Sequence, residues 1–435
     1  VKIAGSRSLF IARRNPTTAA DLPPLLGCAW VFLEKYMDLA TLAWLRSVEG
    51  AALLAELAGR DLAEKRRLAL LSELRARYDP QLARAAVELA LLRRQAQRKF
   101  AGAGHMFFTR EALEQASAAP VAAHRATRLA SFGDVADLGC GIGGDALALA
   151  SAGAQVIAVD RDELRLALLA ANTEVLGLSE RIRIVQADLL ATEPPAAAAL
   201  FCDPGRRAGG RRRFAVQQYE PPLARVLGWR SRTQTLAIKM HPGVDPAELV
   251  EAEPCELEFV SLAGDLKEAV LWCGAAVEVA RRASVLRADG TAFTLTGAAD
   301  PVPIAQSTPL AWLYEPDPAV FRAGLLGNLA TQIDAVQIDP QIAYLTADRR
   351  IATPLARCWP ILEWMPFQLK RLRARLRELG AGTVTVKKRG SPLESDQLAR
   401  QLSGDGERSL VVVLTRVNGR PAALIGEEPG LEAAT

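Results

Sequence analysis

Four aspartates in the middle of this 435-residue chain close short apolar runs: Asp137 in "DVADLGCGIGGDALALA", Asp160 in "AQVIAVD", Asp188 in "RIRIVQAD" and Asp203 in "AALFCD". A carboxylate at the end of a strand is where a parallel sheet meets a ligand. Gly139, Gly141, Gly143 and Gly144 follow the first run. Gly139 lets the chain turn, Gly141 admits a ligand to the backbone, and the helix that follows favours negative charge or hydrogen-bond acceptors. Asp160 lies 21 residues after Gly139, a distance that suits a carboxylate taking both ribose hydroxyls of a nucleoside. Gly139, Gly141 and Gly144 also satisfy the dinucleotide spacing G-x-G-x-x-G. Three features speak against that reading. Asp137 stands where a positively charged amino-acid moiety would want a carboxylate, Asp188 where an adenine amino group could donate, and Asp203 is followed by Pro204.

After Pro204 come five arginines within eight positions, Arg206, Arg207, Arg211, Arg212 and Arg213. Arg206 and Arg207 suit stacking on a base or pairing with phosphate, and the other three would extend a positive rim. The plainer alternative is a solvated basic loop. Lys387, Lys388 and Arg389 end a second apolar run, "TVTVKKRG", where they could grip phosphates; a solvated strand end is the competing reading. His241, next to Pro242, is a candidate base or simply structural.

Half the residues are apolar, which excludes a disordered chain. A net charge of +4 and a pI near 8.8 permit an acidic partner without demanding one. None of the six cysteines forms C-x-x-C, so all are expected to be reduced thiols of a cytoplasmic protein with no disulfide framework. The three histidines lack zinc-ligand spacing, so no metal site is expected. No apolar run reaches the ~18 residues of a membrane span, and the start, at Val1, has no secretory pattern.

The elements that must hold these residues follow from periodicity. Residues 1–100 read as an N-terminal helical region, with apolar residues three and four apart from about 35 onward. Residues 101–275 alternate short apolar strands with helices, the pattern of a parallel sheet covered by helices. The last two strands are joined by "AGDLKE", too short for a parallel crossover, so they should pair antiparallel. Residues 276–310 read as a hairpin turning at Asp289-Gly290 and a linker, 311–428 as a small α+β domain, and 429–435 as a tail.

Over roughly 105–272 this constellation resembles the class I S-adenosylmethionine-dependent methyltransferases. The resemblance implies an α/β, Rossmann-like, seven-stranded sheet with its last strand antiparallel. It also implies roles: Asp137 and Gly139, with Gly141 and Gly143, near the methionine part of the cofactor, Asp160 on the ribose and Asp188 on the adenine. The segment "GHMFFTREALEQASAAPVAAHRA" is similar to that of the trimethylguanosine-synthase-like group, implying that Phe107, Phe108 and Thr109 close over the cofactor. The alternative is that Thr109 caps a helix and the phenylalanines pack in the core. The whole layout, with "LYEPDPAV", "DPQIAYLT" and "VTVKKRG", resembles bacterial methyltransferases carrying a THUMP-like domain. That implies an RNA partner, tRNA or rRNA left open.

In that fold Asp203 would accept a hydrogen bond from a substrate amine and Pro204 would fix the turn. The sequence Asp-Pro-Gly-Arg departs from the amine-methylating pattern, lacking a second proline and an aromatic ring, which counts against guanine N2. The expected function is methyl transfer to RNA at a base nitrogen. The alternatives are a small-molecule or protein methyltransferase and a non-catalytic RNA-binding protein with a vestigial fold.

Overall fold

A computed structural model describes residues 37–427, apart from residue 206 and the stretches 209–210, 213–218, 253 and 390–394. The expected frayed start and tail, and Cys28, lie outside the described residues. The chain divides into two units between Val87 and Glu88. In the first, helices Leu39–Arg46, Val48–Ala58 and Glu64–Leu74 bury Leu45, Leu53, Leu57 and Leu74. Ser47 both ends the first helix and caps the second, its hydroxyl accepting from Gly50 N–H at 3.2 Å.

The second unit is built on two sheets. Strands β1 (Asp134–Leu138), β2 (Gln155–Asp160), β3 (Ile182–Gln186) and β4 (Ala199–Cys202) are followed by a two-residue ladder, β5 (Arg207–Ala208) with β6 (Arg211–Arg212). Then come β7 (Thr235–Met240), β8 (Cys255–Leu262), β9 (Asp265–Gly274), β10 (Arg281–Leu286) and β11 (Ala292–Gly297). All but β5 and β6 form one sheet in the order β11-β10-β8-β9-β7-β4-β1-β2-β3. The run from β8 to β3 is the expected seven-stranded α/β sheet, with β9 antiparallel to both neighbours. The hairpin expected at 276–300 is present, β11 pairing antiparallel with β10, and it does not stand apart: β10 pairs parallel with β8 and extends the sheet to nine strands.

The physical reason lies in β8. Its alternation Glu256-Leu257-Glu258-Phe259 suggests one wet face, yet both glutamates are buried. Glu256 takes a bidentate pair from Arg128 at 2.7 and 2.8 Å and accepts from Arg282 at 2.6 Å. Glu258 bonds His124 at 2.8 Å, Trp272 Nε1 at 2.8 Å and Ser284 Oγ at 2.5 Å. Two carboxylates thus tie the helix Ala119–Leu129, β9 and the added hairpin to one strand.

The second sheet contains β12 (Trp312–Pro316), β13 (Val336–Asp339), β14 (Ile342–Ala347), β15 (Ala356–Pro366), β16 (Ala381–Lys388), β17 (Arg408–Val417) and β18 (Arg420–Glu427), in the order β13-β14-β12-β15-β18-β17-β16. Its first strands and helices share a core with the first sheet through Tyr314, Val320, Leu329 and Phe259. A second core lies among Leu313, Ile338, Tyr344, Trp359, Val411 and Val413. The β17–β18 turn uses Asn418 (φ 48°) and Gly419 (φ 78°), the left-handed pair that a two-residue hairpin needs. Among the described residues no helix is long and apolar enough to cross a membrane.

One cysteine expectation is overturned. Cys255 and Cys273 stand directly opposite on β8 and β9 and form a disulfide. Their separation of 18 residues gives no hint of this; the antiparallel register makes the pair. Cys140 and Cys202 are buried free thiols, and Cys358 is a partly buried one.

Burial alone would raise the Glu258 carboxyl, but the bonds and charge of His124, then Ser284 and Trp272, pull it down to about 2 from an ordinary 4.5. Its contribution is present above pH 4.5 and is lost as pH falls through 4.5 toward 2. Urea unfolding across that window should show Glu258→Gln with a shallower acid limb than the parent, the difference amounting to at most about 3 kcal/mol.

Candidate functional site

The carboxyl ends of β1, β2, β3, β4 and β7 open on a cavity of about 920 Å³. Asp137, Gly139, Gly141, Asp160, Asp188, Asp203 and Pro204 all line it. Two glycines are forced by geometry. Gly139 has φ 85°, and a Cβ there would lie 3.0 Å from the carbonyl oxygen of Asp203. Gly143 has φ 88°, and a Cβ there would strike Leu169 at 2.2 Å. Gly143 caps the helix Gly144–Ser151 without itself lining the cavity. Gly139 and Cys140 both donate to Val159 O, at 2.8 and 3.0 Å, which folds the loop over β2. Asp160 accepts from Gly141 N–H at 2.9 Å and from Asp162 N–H at 3.0 Å, so it holds the glycine loop in shape as well as facing the cavity. Asp188 is exposed and accepts from Leu190 N–H at 2.9 Å.

Behind these groups lies a buried charge network. The Ser117 hydroxyl accepts from Lys239 Nζ and from Arg125 Nη2, each at 3.0 Å, and donates to Asp145 Oδ2 at 3.0 Å. One donor and two acceptor sites are thereby all used. Arg125, 1% exposed, also pairs with Asp145 and Glu268. Lys239 Nζ donates to Asp203 Oδ2 at 2.6 Å. Burial opposes the charge on Lys239, but Asp203, Asp145 and Glu268 outweigh it and hold the ammonium protonated. Burial would likewise raise Asp145, yet Arg125 and Lys239 keep its carboxyl low.

Asp137 is the member left unbalanced. Burial, then the nearby Asp145 and Asp203, push its carboxyl well up. Its Oδ2 is buried without a hydrogen-bond partner. Arg125 and Lys239 stand against five carboxyl groups here, those of Asp137, Asp145, Asp160, Asp203 and Glu268, so a positively charged donor beside the glycine loop would suit the site. The ammonium of an amino-acid moiety supplies one, and the cavity is large enough for a nucleoside attached to it.

Comparison with known proteins agrees. Residues 135–202 match the methyltransferase domain family. An uncharacterized S-adenosylmethionine-dependent methyltransferase of Mycobacterium tuberculosis, from strains CDC 1551 / Oshkosh and H37Rv, is 37% identical over 340 residues, covering 76% of this chain and 92% of the relative. The chain belongs to the S-adenosylmethionine-dependent methyltransferases. A crystal structure of a protein from Porphyromonas gingivalis W83, assigned as a methyltransferase, has a TM-score of 0.65 at 19% identity, covering 84% of this chain and 98% of that one. At that identity the likeness is one of fold. Residues 356–428 of the methyltransferase match the THUMP domain-like family, and 38–96 match a domain of unknown function.

Other expected site residues are placed differently. Thr109 accepts from Ala112 N–H at 3.2 Å as the N-cap of helix Arg110–Gln115. Phe108 is fully buried against Phe100, and Phe107 is clasped by Asn172. None of the three lines the cavity, and their placement follows the alternative of capping and core packing. Lys387 is paired with Glu315 at 2.9 Å and lies over the Trp359 ring, and Arg389 sits near Glu315 and over Tyr344. These two cations are turned to partners inside the C-terminal sheet, while Lys388, the third residue expected to grip phosphate, is exposed at the strand end. Arg206 and Arg213 lie outside the described residues. Arg207, Arg211 and Arg212 fall in the β5–β6 ladder, an excursion closed at its base by Gly205 and Glu220, which exchange bonds of 2.7 and 3.0 Å. His241 does line the cavity, and its Nδ1 accepts from Gly243 N–H at 2.8 Å, closing a turn.

No motif of the sequence singles out Ser117, Arg125, Asp145, Lys239 or Glu268. The signal available was a single charged residue, Lys239, inside the otherwise uncharged strand β7.

Replacing Asp160 by Ala should weaken S-adenosylhomocysteine by about 1–3 kcal/mol in calorimetry, because a charged acceptor and the support of Gly141 are lost together. Arg125→Met, which leaves Asp145 and Glu268 buried without their partner, should cost about 3–5 kcal/mol of stability in urea unfolding.

Proposed function

We propose that this methyltransferase acts on RNA, with the acceptor atom held against Asp203. The observation that carries the reading is that Asp203 and Pro204 share one cavity with the glycine loop, in a chain that also carries a THUMP-like domain. The cofactor supplies an activated methyl group. Asp137 would meet its ammonium, Asp160 its ribose and Asp188 its adenine, while Asp203 accepts a hydrogen bond from the nucleophile and Pro204 fixes the turn. A cytoplasmic location is part of this proposal, since that is where an RNA substrate would be met.

Support for RNA comes from the helix Leu369–Glu378 of the C-terminal domain. It carries Lys370, Arg371, Arg373, Arg375 and Arg377, of which Arg375 is paired with Glu363 and Glu378. Lys370 and Arg371 are exposed in its first turn, where no acid accompanies them. Cations there oppose the helix dipole at a cost of about 0.3–1 kcal/mol each, and an exposed cationic turn of this kind suits a phosphate backbone. A base nitrogen, the acceptor suggested by Asp-Pro alone, wants this carboxylate free, whereas Asp203 is paired with Lys239.

Labelled methyl transfer into total RNA, protein and metabolite extracts tests the proposal; label confined to protein or metabolites would defeat it. Asp203→Asn should lower turnover by about 10²–10⁴ with S-adenosylhomocysteine affinity nearly unchanged. Replacing Lys370, Arg371 and Arg377 by alanine should reduce the slope of log affinity against log salt by about two units, at ~0.7 per phosphate contact.

A further inference from the structure

We infer that the acceptor in this cavity is a hydroxyl oxygen and that Lys239 is the positioning residue that selects it. Within the RNA reading, on which this inference rests, that hydroxyl is a ribose 2′-OH.

Two independent observations carry it. The first is the charge beside Asp203. A nitrogen nucleophile gains positive charge as it takes a methyl group, so a neighbouring ammonium works against it. An oxygen nucleophile must shed a proton and gains negative charge on the way, so it wants both a carboxylate and a cation. Lys239 Nζ stands 2.6 Å from Asp203 Oδ2, is 6% exposed, and is anchored on its other side by Ser117 at 3.0 Å. It is therefore a fixed charge and not a flexible surface lysine. Asp203 is less buried than Lys239, with its side chain 25% exposed.

The second is the lining of the cavity. A base presented for methylation is unstacked and gripped by its flat faces, usually between aromatic rings. Among the described residues that line this cavity there is no Phe, Tyr or Trp. The wall instead carries Arg98, Lys99 and Lys267, together with Arg161 and Arg165, which stand 3.8 Å from Glu220 and 3.5 Å from Glu111. A ribose needs no stacking platform, and its flanking phosphates suit a rim of cations.

The step balances as one displacement. The hydroxyl O–H bond breaks, and its proton goes to Asp203 and then to water. The O–CH₃ bond forms, and the electron pair of the carbon–sulfur bond stays on sulfur, leaving a neutral thioether.

The test begins with RNA methylated by the intact enzyme and labelled cofactor. A 2′-O-methyl group blocks alkaline cleavage of the adjoining phosphodiester, so the label should remain in alkali-resistant dinucleotides. Label released in mononucleotides as a methylated base would overturn the hydroxyl inference while leaving the RNA reading intact. Label only in protein or metabolites would remove the RNA reading itself. A second readout needs no turnover. With S-adenosylhomocysteine bound, an oligonucleotide with 2′-deoxyribose at the target should bind roughly 2- to 10-fold more weakly than the ribose form. That difference should vanish in Lys239→Met and persist in Lys239→Arg, whose thermal transitions show whether each variant is folded. Equal binding of the two oligonucleotides by the parent protein, or an undiminished difference in folded Lys239→Met, would overturn the role of Lys239.

Discussion

The ion network around the Ser117 hydroxyl is the constraint on which the candidate site depends. Taking Arg125 and Lys239 out of water is costly unless each is met by a carboxylate in good geometry. The chain meets that demand with residues from five places. Ser117 and Arg125 come from the segment before β1, Asp145 from the helix after the glycine loop, Asp203 from the end of β4, and Lys239 and Glu268 from β7 and β9. None of these charges is stable in its place without the others. The fold is therefore specified at the site by electrostatics as much as by the apolar strands that lead there. Among the described residues that arrangement leaves two buried atoms without a hydrogen-bond partner, Arg125 Nε and Asp137 Oδ2, and of the two residues Asp137 is the one that lines the cavity.

The reversed strand explains how Glu268 reaches the site. In a parallel sheet only carboxyl ends meet the ligand crevice. Because β9 runs antiparallel between β7 and β8, its amino-terminal residues Lys267 and Glu268 arrive at the same edge as Lys239 and Asp203. The expected antiparallel strand thus has a chemical consequence beyond topology: it delivers an acid to the cation pair from the far side.

Much of this was legible in the sequence. The alternation of short apolar runs and helices carries the sheet, and the aspartates that close those runs were placed correctly at its edge. The glycine loop was legible because left-handed φ angles and close approach leave few residue choices. What stayed hidden depends on contacts far apart in the chain. Nothing local marks Glu256 and Glu258 as buried, and only the arrival of Arg128, His124, Arg282 and Ser284 makes them anchors. The Cys255–Cys273 disulfide follows from register, which spacing does not reveal. Thr109 and Phe108 were open to two readings because a helix cap and a lid have the same local pattern. Lys387 and Arg389 look like free cations until Glu315, some seventy residues earlier, is seen between them.

The two hidden glutamates and the charge network turn out to be one mechanical system. Helix Ala119–Leu129 presents Val121 to an apolar contact with Val260 and Leu286, and it presents His124 and Arg128 to Glu258 and Glu256. Those contacts fix the helix against β8 and β10. On the same helix Arg125 reaches Asp145 and Glu268. The added hairpin, which the sequence left outside the sheet, therefore bears on the site through a single rigid element. It supplies Arg282 and Ser284 to the glutamates that hold the helix, and the helix holds Arg125 where Ser117, Asp145 and Glu268 need it. A nine-stranded sheet is in this sense the support for one guanidinium, and that guanidinium shares Ser117 with the lysine beside Asp203.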